Sequence, residues 1–194
     1  MTPGMLFADQ VPAEDFFRRV AHVARGCPSE VLRGAVVQAG REFCERTWIW
    51  EAVLEPVQTQ DGVRGYQVFA PDADILAIKA VALDGRDVKF TTPDRSTVQL
   101  WDEPKGGLDL VATVILAPAP DAHQLPRFLL SDWPEAVASR ARSILLDMPG
   151  TDWFGPQLAE KYRLEFERLW VPRTRVEVTQ RGGRALSVRK RRFI

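Results

Sequence analysis

The chain has 194 residues, 45% hydrophobic and 27% charged, which allows one ordinary domain with its own core and excludes a disordered or fibrous chain. Its two cysteines, Cys27 and Cys44, fix no disulfide framework and suit a reducing compartment. The formal net charge of zero hides a segregation, because residues 171–194 carry eight basic side chains against one acidic, leaving 18 basic and 25 acidic before them. An acidic body with a basic end is suited to meeting an acidic partner, whether another protein, another copy or nucleic acid. No basic, apolar leader opens the sequence, and apolar runs such as residues 110–120 are too short to span a bilayer. A soluble chain with no membrane role is expected.

The spacing predicts a first helix over residues 11–25. Pro12 stands where a helix start tolerates it, Glu14 and Asp15 favour the positive N-terminal end, and Phe16/Phe17, Val20 and Val23/Ala24 recur at helical intervals. Gly26 stops it. A second helix begins near Pro28-Ser29-Glu30 and runs to about Trp50. Leu32, Val36, Ala39, Phe43 and Trp50 keep mostly to one side of it, and Arg33, Arg41, Glu42 and Glu45 to the other.

From Val53 the period shortens. Segments 53–58, 65–70, 75–83, 88–92, 97–101 and 108–116 are rich in Val, Ile, Leu and Phe. Turn signals separate them at Asp61-Gly62, Pro71-Asp72, Asp84-Gly85, Pro93-Asp94 and Lys105-Gly106-Gly107, which predicts five or six short antiparallel strands. Pro118 and Pro120 close the unit. After the link Leu125-Pro126-Arg127-Phe128, a third helix is capped by Asp132, has Pro134 in its first turn, and runs through Val137, Ala141, Ile144/Leu145 and Met148 to Pro149-Gly150. A fourth opens at Gly155-Pro156, buries Leu158, Tyr162, Phe166 and Leu169, and ends at Pro172.

The expected fold is therefore α+β, with two helix pairs in one four-helix bundle (residues 1–52 and 121–171). A small antiparallel β domain (residues 53–120) is inserted between the pairs, and an extended basic C-terminal tail follows (residues 172–194).

Little in the sequence suggests chemistry. His22 and His123 have no Cys or carboxylate at metal-ligand spacing, and Cys27 and Cys44 lie seventeen residues apart with no CxxC. No nucleophile elbow, phosphate loop or dinucleotide fingerprint occurs, and Gly106-Gly107 and Gly182-Gly183 read as turns. Glu42/Glu45 and Asp72/Asp74 could pair by chance, but nothing sets them facing each other in a pocket. No catalytic residue, metal site or cofactor is expected. Of the six tryptophans, Trp48, Trp50, Trp133, Trp153 and Trp170 fall near predicted helix ends and Trp101 ends a strand; they serve either the core or intersubunit anchoring. The run Val188-Arg189-Lys190-Arg191-Arg192-Phe193-Ile194 joins charge to two large apolar residues, a pattern suited to a segment that inserts into a pocket.

The last two predicted helices also carry a resemblance. Phe128-Leu129-Leu130, Trp133-Pro134-Glu135-Ala136-Val137-Ala138-Ser139, Leu145-Leu146-Asp147-Met148-Pro149-Gly150, Trp153, Pro156-Gln157-Leu158-Ala159 and Tyr162 to Phe166 follow one another along the chain. In that order they resemble the head-to-tail adaptor (connector) proteins of tailed bacteriophages. The stretch Ala39-Gly40-Arg41-Glu42-Phe43-Cys44-Glu45-Arg46-Thr47 and the Arg-rich segment before Phe193-Ile194 are similar to those proteins too. One departure is Ser139-Arg140, where the family often has a small Gly-Ala pair; it loads a bulky charge onto the third helix.

The resemblance implies a structural protein of the virion, made in the host cytoplasm. It would form a ring, usually of twelve copies, beneath the portal, extend the DNA channel and give tail or nozzle proteins a platform. Packaged DNA would pass through without sequence-specific binding. Carried over by position, the portal-docking segment is Arg181, Arg184, Arg189, Lys190, Arg191, Arg192, Phe193 and Ile194. The alternative is a nucleic-acid-binding accessory protein that grips phosphate with the same basic tail; it would lose affinity steeply with salt. No helix-turn-helix, zinc or single-strand-binding signature accompanies that tail.

Overall fold

The computed structural model describes residues 9–181, with side chains described as far as Leu169. A short strand, β1 (Gln10–Pro12), leads through a 3-10 turn (Ala13–Phe16) into one turn of helix, α1 (Phe17–Val20), and a second 3-10 turn (Ala21–Val23). The long helix α2 (Ser29–Thr47) follows. Eight strands come next: β2 (Glu51–Val53), β3 (Val57–Gln58), β4 (Gly65–Gln67), β5 (Ala73–Leu83), β6 (Arg86–Asp87), β7 (Phe90–Thr91), β8 (Thr97–Leu100) and β9 (Asp109–Pro118). The described chain then runs through β10 (Gln124–Pro126), α3 (Arg127–Ser131), α4 (Pro134–Leu146) and α5 (Pro156–Arg181).

The expected four-helix bundle with a small β insertion is not what forms. Helix makes up 39% of the structure, and among the described residues five helices accompany three antiparallel sheets, the largest curled into a half-barrel. The cause lies in β5 and β9, eleven and ten residues long, which pair from Ala73↔Pro118 to Leu83↔Leu110 and form the spine of the molecule. β2 and β3 pair with the other side of β9, and β6 with the end of β5. Register shifts between Ile75/Ala77 and Ile78/Ala80 bend the spine, as bulges do. The Asp84-Gly85 turn, with φ of 45° and 77°, has the twist that a two-residue hairpin requires. Val88 N–H donates to Val81 O, so the strand that begins as β6 continues onto a three-stranded sheet in the order β4-β8-β7. Tyr66, Val68, Val81, Val98, Leu100, Leu110 and Val114 are buried against this curl.

Helices cover the spine without replacing it. α2 buries Leu32, Val36, Ala39, Phe43 and Cys44, and Gly40 lets Leu125 and Leu129 approach so closely that a Cβ would meet their methyls at 3.2 and 3.3 Å. α4 buries Val137, Ala138, Ala141 and Leu145. A single cluster of buried residues runs from Ala13 through both helices and the strands to Phe166. Fully burying one such Leu, Val or Phe side chain is worth about 1.5–3 kcal/mol, so the cluster is the main source of stability. Burial also pushes the Cys44 thiol well above its ordinary range.

Other corrections concern element ends. The predicted first helix keeps a single α-helical turn, because Val11 pairs with Leu125 in the β1–β10 ribbon and the flanking turns tighten to 3-10. α2 stops at Thr47, three residues short of the expected end, with Trp48 in the left-handed region. Asp132 does not cap α4; its N–H donates to Phe128 O and closes α3 instead. In α5, Ala159 is buried while Leu158 remains 40% exposed, a phase shift of one residue. α5 also continues past Pro172 to Arg181. Proline's φ is compatible with helix, so it removes one hydrogen bond without reversing the chain.

Candidate docking surfaces

Arg181 is the last residue of α5, and its side chain lies outside those described. Arg184, Arg189, Lys190, Arg191, Arg192, Phe193 and Ile194 lie outside the described residues. What the structure does position is the root of the helix that leads to them. Phe166 is fully buried, with the Arg46 guanidinium 5.3 Å above its ring, and Arg46 also pairs with Glu167. The Arg142 guanidinium lies 5.2 Å from the Tyr162 ring while its Nε donates to Arg19 O at 2.8 Å, so one buried cation ties α1, α4 and α5 together. From Leu169 the helix runs twelve more residues, about 18 Å at the usual helical rise.

The departure at Ser139-Arg140 has its partner on the neighbouring helix. Arg140 Nε donates to Glu42 Oε2 at 2.6 Å and Nη2 donates to Glu42 Oε1 at 2.9 Å, a two-pronged pair between α4 and α2. Both side chains are about four-fifths buried, at 20% and 19% exposure. Ser139, beside it, is small enough to be fully buried in the core. Two other arginines fasten α2. Arg33 meets Glu14, Glu30 and His123 Nδ1, and Arg41 meets Glu45, Asp74 and the Pro118 carbonyl. A hydrogen bond from its own backbone N–H, reinforced by Arg33, holds the Glu14 carboxyl below the usual range.

The tryptophans divide between the two roles. Trp50 and Trp133 are core residues, the latter with its ring centroid 4.9 Å from that of Phe43. Trp153 is half-buried. Trp48 and Trp101 are 57% and 59% exposed, and the side chain of Trp170 lies outside those described. Trp48 adopts φ 52° at the end of α2, a position where glycine is usual and other residues are strained by roughly 1–2 kcal/mol. Comparing Trp48→Ala with Trp48→Gly isolates that strain, because both lose the ring and only glycine relaxes the backbone. Thermal or urea unfolding is expected to find the glycine variant more stable by about 1 kcal/mol.

Sequence reasoning missed Phe69, at 80% the most exposed large apolar side chain among the described residues. The signal was present. Along residues 65–70 the buried positions are Tyr66, Val68 and Ala70, so Phe69 falls on the outward phase of an alternating strand. It borders a cleft of about 370 Å³ with Ala70, Ala73, Ile75 and Arg95. The outward face of the three-stranded sheet continues through Gln67, Thr97 and Gln99 to Trp101, where Lys89 Nζ lies 5.7 Å from the ring centroid. Asp94 shapes the turn before β8. It accepts hydrogen bonds from the Ser96 and Thr97 N–H groups and from both hydroxyls, and the Ser96 N–H bond is the main cause holding its carboxyl below the ordinary range. Aromatic corners around an uncharged polar centre match the composition of protein interfaces. Among the described residues no three His, Cys, Asp or Glu side chains sit close enough to hold a metal ion, and no helix is long and apolar enough to cross a membrane.

Fold and surfaces together define an α+β protein built on a curled antiparallel sheet, with exposed aromatics on the adjoining three-stranded sheet and a long helix rooted on the helical side. Compared with protein-family profiles and with curated proteins, the chain matches none of them.

Proposed function

We propose that this chain is a structural head-to-tail adaptor of a tailed-phage virion, forming a ring beneath the portal that extends the DNA channel and carries the tail or nozzle proteins. The observation that carries the reading is the charge segregation and the way α5 delivers it. A helix locked at Tyr162 and Phe166 leads from a body of 18 basic and 25 acidic residues into a segment with eight basic residues and one acidic. A basic segment on a rigid root reaches a docking site on a neighbouring ring, and repetition around the ring turns a modest contact into firm attachment. Opposite charge on body and tail steers that encounter. An acidic channel wall lets packaged DNA slide instead of adhering.

The test is co-sedimentation with portal rings from the same source, comparing the full chain with a truncation after Gly183. The full chain is expected to pellet with the rings and the truncation to remain in the supernatant. Binding of both would move the docking face away from the tail. Failure of both, with salt-sensitive DNA binding by the full chain, would replace the adaptor reading with the nucleic-acid one.

A further inference from the structure

Among the described residues, strand β4 leaves one edge of the three-stranded sheet open. In an antiparallel ladder, residues alternate between those whose N–H and C=O face the neighbouring strand and those whose groups face away. Leu100 N–H donates to Arg64 O at 2.9 Å and Val68 N–H donates to Ser96 O at 2.8 Å, with Gly65↔Gln99, Tyr66↔Val98 and Gln67↔Thr97 in register between them. That phase turns Arg64, Tyr66 and Val68 toward β8 and directs the backbone groups of Gly65, Gln67 and Phe69 to the opposite edge. No strand among the described residues pairs with that edge. All three residues are exposed. Proteins usually guard such edges with lysine, proline or a bulge, and residues 65–69 contain none of these and no charge.

We propose that this edge pairs with the same edge of a second copy of the chain, antiparallel, about a two-fold axis through Gln67. The strand is complementary to itself in that register. Gln67 meets Gln67, and Gly65 of each copy lies opposite Phe69 of the other, so each exposed ring covers a position that has no side chain to clash with it. The bare backbone groups are then satisfied by about six hydrogen bonds, and the two three-stranded sheets become one of six strands. Charge agrees with the register. The strand itself is neutral, and antiparallel pairing brings the Arg64 end of each β4 beside the Asp72 end of the other. A two-fold contact closes on itself, so this pairing makes a dimer and does not build a ring. It is independent of the adaptor reading.

One strand buries less than a standard interface, so the association is weak and depends on concentration. Sedimentation velocity of the full chain, from low to high micromolar concentration, is expected to show monomer converting to dimer. Gln67→Pro removes only an outward-facing N–H and leaves the β4–β8 ladder intact. Phe69→Lys puts a guarding charge on the edge. Each is expected to weaken dimerisation at least about tenfold, with the circular dichroism of the monomer unchanged. Should the proline variant misfold, the lysine variant decides. A wild type that never dimerises, or a dimer that survives both substitutions, would overturn the proposal. So would a monomeric wild type that loses a foreign partner on Gln67→Pro, since the edge would then belong to another protein's strand.

Discussion

Truncating Phe166 to alanine is expected to lower the free energy of unfolding by about 3–5 kcal/mol. Its ring is fully buried and roofed by Arg46, and the neighbouring Glu167 holds the same arginine, so the truncation empties a site that few side chains can refill. Urea unfolding followed by circular dichroism measures the loss. Leu164→Ala, at a residue 46% exposed two positions earlier, is expected to change stability by no more than about 0.5 kcal/mol. Where the loss appears matters as much as its size. If α5 opens as a unit, native-state hydrogen exchange rises along that helix while β5 and β9 stay protected. A uniform loss with an unchanged urea slope would instead make α5 part of the cooperative core. Under the adaptor reading, local opening also abolishes portal docking without unfolding the sheet, because the basic segment loses its rigid base.

How much of this was legible in the sequence depended on which force decided each element. Turn chemistry is local, so Asp61-Gly62, Asp84-Gly85 and Gly106-Gly107 fell between strands as expected. The strands lay close to where alternation of Val, Ile and Leu suggested. Their importance did not, because periodicity gives no measure of pairing. The bend that lets β5 and β9 serve as the spine comes from register shifts that no spacing reveals. The first predicted helix failed for a related reason. Phe16, Phe17 and Val20 suit a helix, but Val11 finds a strand partner at Leu125, more than a hundred residues away. Trp48 and Trp50 are two residues apart, one ring exposed and the other in the core, and helical spacing had already set Trp50 with the buried positions although α2 ends before it at Thr47. The candidate tail was read from its charge, from Phe193-Ile194 and by position from the family resemblance, and beyond Arg181 it lies outside the described residues.

Arg140 illustrates how a residue that looks misplaced in the sequence can be settled by a distant partner. Glu42 and Arg140 are 98 positions apart, yet their planar groups meet in a two-pronged contact that is four-fifths buried. Removing either partner strands the other charge in a half-dry seam between α2 and α4. Breaking a fully buried pair costs about 3–5 kcal/mol. The residual exposure here lets water reach the remaining group, so Glu42→Met or Arg140→Leu alone is expected to cost about 2–3 kcal/mol. Replacing both, as Glu42→Met with Arg140→Leu, removes the desolvation penalty along with the attraction. The double variant is expected to unfold within about 1 kcal/mol of the wild type, which makes the coupling energy several times that of an exposed pair. Arg163 and Glu160, an exposed pair one helical turn apart on α5, provide the comparison and are expected to couple by no more than about 0.5 kcal/mol. If the Glu42 and Arg140 single variants were as mild as those of the exposed pair, the seam would be wet, and the contact between α2 and α4 would rest on their buried apolar side chains. If the singles are costly and the double is not, the charge on α4 fixes how the two helices face each other while adding little to net stability.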